Sequence, residues 1–202
     1  MSKEKYNMSF TTGGLFQSES ARLAKMFLEC NDWDRVKEAT LTDNLLQTRT
    51  LNTSRRNLRE IVSRLKCLSP EELHLVTDGY SQDLAYILWV AVCRRYRFVG
   101  EFAVEVLRER FISLKGDLNY EDYDHFFNKK AEWHPELDKI SSTTRLKLRQ
   151  VLFKILREAG LLDVNNMINA TVLSPRFLNT ISHGRQNDLL FFPIFETQLR
   201  EM

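Results

Sequence analysis

The sequence predicts an all-α protein, and three observations carry that prediction. Glycine and proline are scarce, 7 and 4 in 202 residues, too few for the turns of a β-rich chain this long. Apolar residues recur at three- and four-residue intervals along most of the chain. Ser69-Pro70 and Ser174-Pro175 each join an N-capping serine to a proline at the first helical position. The expected architecture is a compact multi-helix fold with a helix-turn-helix-like N-terminal part and one small β-hairpin in the C-terminal third.

The elements follow in order. Thr11-Thr12-Gly13-Gly14 is a loop leading into a helix over 18–29, where Leu23, Phe27 and Leu28 are helically spaced. A second helix covers 33–39, capped by Asn31 or Asp32, and a short third one is expected over 42–47. The polar turn Arg49-Thr50-Leu51-Asn52-Thr53 then starts a helix to about residue 67 with one apolar stripe: Leu58, Ile61, Val62 and Leu65. Ser69, Pro70 and Glu72 form a capping box, and that helix stops at Asp78-Gly79. Gly79 is the expected boundary between an N-terminal helical subdomain (1–78), which carries the basic helix-turn-helix-like segment, and a C-terminal one (79–202).

Residues 82–96 are apolar nearly all round and read as the central buried helix, followed by a helix over 99–114 ending at Gly116. A shorter helix starts at Asn119 and is broken by Trp133-His134-Pro135, because proline pushes its predecessor out of the α region. Ser141-Ser142-Thr143 caps a long helix that ends at Gly160. The hairpin is expected over 161–173, with Val164, Ile168 and Val172 alternating around an Asn165-Asn166 turn. The helix after Ser174-Pro175 closes at Gly184, and residues 189–200 form a last apolar segment interrupted by Pro193.

Charge narrows the function classes. The formal net charge is only +2, so any nucleic-acid surface must come from local clustering. Residues 45–68 carry Arg49, Arg55, Arg56, Arg59, Arg64 and Lys66 against the single acid Glu60. On a helical wheel Arg55, Arg59, Lys66, Asn52, Ser63 and Arg56 share one flank of about 100°, with Glu60 and Arg64 outside it. Arginine bridges phosphates or grips guanine edges, and Asn and Ser add short polar contacts, so this flank suits nucleic acid. An ordinary solvated face would look much the same. Arg94-Arg95-Tyr96-Arg97 is a second candidate, weighed against simple complementation of a helix C-terminus. The basic residues Arg145, Lys147, Arg149, Lys154 and Arg157 are a third, weaker one. The candidate nucleic-acid contacts are Arg49, Asn52, Arg55, Arg56, Arg59, Ser63, Lys66, Arg94, Arg95 and Arg97.

Other classes find little support. Gly13-Gly14 lacks the rest of a phosphate-binding loop, and His74, His125, His134 and His183 show no metal-binding spacing. Cys30, Cys67 and Cys93 are too far apart for a zinc knuckle and odd in number for a disulfide framework. The acids from Asp117 to Asp124 read as a solvated face and helix start, and His134 as a histidine hydrogen-bonded in a tight corner. No enzyme, metal or cofactor is expected. The N-terminus has no signal-peptide core, and the longest apolar run, 84–93, falls short of the roughly 20 residues needed to cross a bilayer. The expectation is a cytoplasmic monomer without membrane insertion.

Six stretches, in order along the chain, carry a resemblance to a known family. They are Thr12-Gly13-Gly14-Leu15-Phe16 with Glu19-Ser20, Leu46-Gln47-Thr48-Arg49-Thr50, and Leu88-Trp89-Val90-Ala91-Val92-Cys93-Arg94-Arg95-Tyr96. Further along come Phe102-Ala103-Val104-Glu105-Val106-Leu107-Arg108-Glu109, Ala131-Glu132-Trp133-His134-Pro135-Glu136-Leu137 and Arg149-Gln150-Val151-Leu152-Phe153. Together they show a resemblance to the BrxA family of bacteriophage-exclusion (BREX) defence systems that runs over about residues 11–176. It implies a small all-helical component of a system that methylates host DNA and blocks phage replication, with the system's methyltransferase, ATPase and other core proteins as partners. It supplies no residue-by-residue binding motif, so the arginines rest on the helix pattern alone. Double-stranded DNA is the leading ligand. RNA, or a scaffold role using an exposed apolar patch of Leu189, Leu190, Phe191, Phe192 and Phe195, are the alternatives.

Overall fold

A computed structural model describes residues 5–79, 81–182 and 186–195. Local chemistry sets the helix starts. Asp32 opens α2 (Trp33–Thr42) by accepting from the backbone N–H groups of Asp34 (2.8 Å) and Arg35 (3.3 Å). Thr50 opens α3 (Leu51–Leu65) through Thr53 N–H at 3.2 Å. The Ser69–Glu72 box at the start of α4 (Pro70–Asp78) is complete, with both reciprocal bonds formed. Ser141 caps α10 (Ser142–Glu158), and Gly160, at φ +73°, supplies the left-handed residue that follows it.

The remaining helices are α1 (Gln17–Cys30), α5 (Ser81–Arg95), α6 (Arg97–Phe102), α7 (Glu109–Ile112), α8 (Tyr120–Ala131), α9 (Pro135–Asp138) and α11 (Pro175–Ser182). A π-helical stretch, Ala103–Arg108, joins α6 to α7 without a break. A 3₁₀ turn, Gln186–Phe191, follows α11. Helix α5 is the hub: Ala85 to Cys93 are all buried, and α3, α4, α6, α10 and the 3₁₀ turn pack around them. Trp89, at 0% exposure, donates its indole N–H to Phe191 O at 3.0 Å, so a large apolar ring is buried with its one polar group satisfied. The N-terminal segment lies across the helices, burying Tyr6, Phe10 and Leu15. One apolar core runs from Tyr6 to Ile194 and crosses Gly79 without interruption.

The all-α prediction holds, and the differences are local. No separate helix covers 42–47: α2 continues to Thr42, then Asn44 and Gln47 turn the chain at positive φ (45° and 49°). The linker to α3 is therefore eight residues, 43–50, longer than the 3–4-residue turn of a compact helix-turn-helix. The hairpin reduces to an isolated antiparallel bridge, Leu162↔Ile168, beside a second one, Asp117↔Met167. Val164 and Val172 face solvent because Leu161, Leu162 and Leu173 are the residues that anchor this segment in the core. The apolar patch expected at 189–195 is mostly interior: Leu189 and Phe192 are buried, and Phe192 meets the rings of Tyr86 and Phe177. Gly184, His183 and the end of the last apolar segment lie outside the described residues.

Candidate nucleic-acid interface

Helix α3 is covered on two of its three sides. Leu58, Ile61, Val62 and Leu65 enter the core. A second side, carrying Glu60 and Arg64, is also buried. Glu60 accepts from the Tyr96 hydroxyl with both oxygens (2.7 Å each) and from Arg64 Nε (2.7 Å). Arg64 Nη1 reaches back to Gly14 O at 2.6 Å, tying α3 to the N-terminal segment. Burial and the adjacent Glu60 carboxylate push the Tyr96 phenol up to about 12. What remains for solvent is the third side. There Asn52, Arg55, Arg56, Arg59 and Lys66 are exposed, Ser63 is half-buried, and Arg49 is exposed in the turn that precedes the helix. None of Arg49, Arg55, Arg56, Arg59 or Lys66 forms an ion pair among the described residues.

A groove of about 390 Å³ separates this side from α2. Lys37 and Leu41 form its α2 wall, and Arg55, Arg59, Ser63 and Lys66 its α3 wall. Leu58 and Val62 form a floor that is itself only 3% exposed. The groove thus combines apolar lining with four cations. No acid among the described residues lines it; Asp34, beside the groove, is 2.8 Å from Lys37 Nζ. The Lys37 hydrogen bond and charge hold the Asp34 carboxyl below its ordinary range, and the Lys66 charge adds to this. Lys37 escaped the sequence reading because a lone lysine three residues after an aspartate looks like a surface pair. Only the packing of α2 on α3 brings it opposite the arginines.

The family model for BrxA matches residues 4–184, a span that contains α1 to α11 and the whole groove. The chain belongs to the BrxA family. It is 28% identical over 180 residues to "BREX protein BrxA" of Escherichia coli O9:H4 (strain HS), covering 88% of this chain and 84% of that one. It is 26% identical to "BREX protein BrxA" of Paramagnetospirillum magneticum (strain AMB-1), covering 79% and 80%. A third relative, "BREX protein BrxA" of Bacillus cereus (strain H3081.97), is 28% identical, covering 74% and 75%. The fold matches the crystal structure of an uncharacterized protein from Magnetospirillum magneticum, with a TM-score of 0.78, 22% identity and coverage of 93% and 96%.

In this BrxA-family chain the other candidate cations have different surroundings. Arg94 is not on the surface, and its assignment to a binding face is corrected. Its side chain is 7% exposed and lies between Glu72 and Asp188. Nη1 donates to Glu72 Oε2 (2.6 Å) and Cys67 O (3.0 Å), while Nη2 donates to Glu72 Oε1 (2.6 Å) and Asp188 Oδ2 (2.7 Å). Burial alone would depress such a guanidinium, but the two carboxylates outweigh it and hold the proton more firmly than usual. Arg95 is partly exposed with its guanidinium 5.3 Å from the Tyr96 ring centre. Arg97 lies over Tyr6 at 4.4 Å and pairs with Glu101 at 3.2 Å. On α10, Arg145 and Arg149 both pair with Asp124, and Arg157 donates to Asn166 at 2.6 Å. The three aspartates of 117–124 are therefore bound to arginines, Asp117 and Asp122 to Arg110, and Glu121 is exposed.

His134 is buried in the corner before α9, 3.1 Å from Glu136 and stacked on Tyr6. Cys30, Cys67 and Cys93 form no disulfide with one another, and burial pushes the Cys93 thiol well up. Among the described residues no three His, Cys, Asp or Glu side chains converge to hold a metal ion. No helix there is long and apolar enough to cross a membrane.

Proposed function

We propose that this chain is a non-enzymatic, double-stranded DNA-binding component of a BREX bacteriophage-defence system. It acts as a cytoplasmic monomer beside the system's methyltransferase, ATPase and other core proteins. One observation carries the DNA reading. The exposed side of α3 gathers Arg55, Arg56, Arg59 and Lys66, none of them in an ion pair among the described residues, while Arg94, Arg145 and Arg149 are each held by a carboxylate. Unpaired cations on one rigid face repel one another, and a phosphate backbone relieves that repulsion while releasing its condensed counterions. The convex helix face and the polar Asn52 and Ser63 beside it suit a groove of duplex DNA. The scaffold reading keeps a smaller patch, since Leu189 and Phe192 are core residues while Phe195 is exposed and Leu190 and Phe191 are half-buried.

The test is fluorescence anisotropy with a labelled random duplex of ~30 base pairs, titrated at several salt concentrations. Binding should weaken with a log–log slope of about −3 to −4, near −0.9 for each neutralised phosphate. A flat salt response, or no binding at low salt, would overturn the proposal. An RNA duplex of equal length competing as well as DNA would reassign the ligand.

A further inference from the structure

The groove between α2 and α3 has a feature the helix pattern alone does not explain. A recognition helix acting alone needs only its own exposed side, yet Lys37 faces that side from the neighbouring helix. We infer that this groove seats one strand's sugar–phosphate backbone, clamped between Lys37 of α2 and Arg55, Arg59, Ser63 and Lys66 of α3, with Asp34 as an acidic brake on its affinity. The inference rests on the DNA reading and divides that surface in two. The groove positions the backbone irrespective of sequence, and Arg49, Asn52 and Arg56, which do not line the groove, are left for the bases.

Three properties of the groove favour a phosphate over other occupants. Its volume, about 390 Å³, holds a sugar–phosphate unit or two but no stack of base pairs. Its lining mixes apolar surface with four cations, which an apolar helix face would have to desolvate and a phosphate would pair. Its walls present four cations, and the neighbouring acid, Asp34, lies outside the lining. The Ser63 hydroxyl already donates to Glu60 O at 2.9 Å, which aims the oxygen along the helix and leaves an acceptor but no spare proton. Ser63 therefore shapes the wall, and the cations supply the attraction.

Asp34 makes the inference testable by a gain of function. Its carboxylate is 90% exposed and bonds only Lys37 through its side chain, so a phosphate arriving at Lys37 must compete with it. Asp34→Asn should tighten duplex binding a few-fold, a result that damage to the fold cannot mimic. Lys37→Gln should weaken binding by ~5–10-fold near 0.1 M salt and make the log–log slope shallower by about 0.9. The double variant Asp34→Asn/Lys37→Gln decides between contact and mere neutralisation. If Lys37 touches phosphate, the double variant stays weaker than Asp34→Asn and keeps the shallower slope. If Lys37 only neutralises Asp34, the double variant matches Asp34→Asn, and the backbone seat is overturned. Polyglutamate displacing the duplex at equal charge concentration would overturn it too, in favour of an acidic protein segment. A wild-type protein that binds no duplex would fail the DNA reading itself, which is a separate result.

Discussion

Two arginine-bearing regions of this chain share composition and differ in everything else. The outer side of α3 holds Arg55, Arg56 and Arg59 in no ion pair among the described residues, and all three are exposed. At the C-terminal end of α5, Arg94 is enclosed by Glu72 and Asp188, 22 residues before it and 94 after it. Arginine content does not separate the two. What separates them is whether the fold brings acids from elsewhere in the chain. A charge already held by two carboxylates, as Arg94 is, has nothing left to offer a ligand.

The sharpest way to break that comparison is to remove the buried arginine. Arg94→Ala would leave Glu72 and Asp188 buried without a counter-charge, at side-chain exposures of 5% and 10%. Stability should fall by about 3–5 kcal/mol, the usual cost of orphaning a buried pair. Urea titration checks the value. Duplex affinity of the fraction that remains folded should be unchanged, and a specific loss there would put Arg94 back among the contacts.

The converse variant is Arg55→Ala/Arg56→Ala/Arg59→Ala. Each residue is exposed, so the summed stability change should stay within about 1.5 kcal/mol. Duplex affinity should fall about a hundredfold near 0.1 M salt, with the slope shallower by two to three units. Anisotropy and thermal melts on the same samples separate the effects. Equal loss in both would mean that the two regions do not differ in role.

The comparison also shows how far the sequence reaches. Caps are local, so Ser69-Pro70-Glu72 and Ser141 fall where the pattern puts them. The α3 stripe is legible too, because burial of Leu58, Ile61, Val62 and Leu65 needs only helical periodicity. Partnership is not local. Nothing near Arg94 in sequence announces Glu72 or Asp188, and nothing near Glu60 announces Tyr96, 36 residues on. The segment after Gly160 was misread for a related reason. Val164 and Val172 have the right residue type and spacing for a strand, but no second strand long enough pairs with them. Lys37 was missed because its importance comes from helix packing and not from any spacing along α2.

Tyr96 tests the buried side of α3 at a smaller cost. Its phenol, raised from the ordinary 10 to about 12, keeps its proton in the folded state over a range where the unfolded chain loses it. The stabilisation is therefore complete below pH 10 and is lost as pH rises through about 12, amounting to about 3 kcal/mol. Burial raises Tyr6 and Tyr123 in the same direction, so the wild type alone does not isolate the contribution. Tyr96→Phe should cost about 1–3 kcal/mol at neutral pH, because Glu60 loses a buried donor. The variant should then lose less than wild type between about pH 9 and about pH 11.5. An identical alkaline loss in the two proteins would assign the effect to the other tyrosines.

The smallest effect is expected at Arg149, and it bears most directly on what distinguishes a binding arginine from a structural one. Arg149 is 19% exposed, lies 4.6 Å from the Tyr120 ring centre and pairs with Asp124, which also holds Arg145. Half-exposed pairs of this kind contribute about 0.2–1 kcal/mol, and Arg145 would keep Asp124 neutralised if Arg149 were removed. Arg149→Ala should therefore lower stability by less than about 1 kcal/mol and leave both duplex affinity and the salt slope at wild-type values. A slope shallower by about 0.9 would mean that DNA draws Arg149 away from Asp124 and that paired cations also take part. The contrast drawn from α3 would then describe the unbound protein alone, because a carboxylate that yields its arginine to phosphate acts as Asp34 does at the groove.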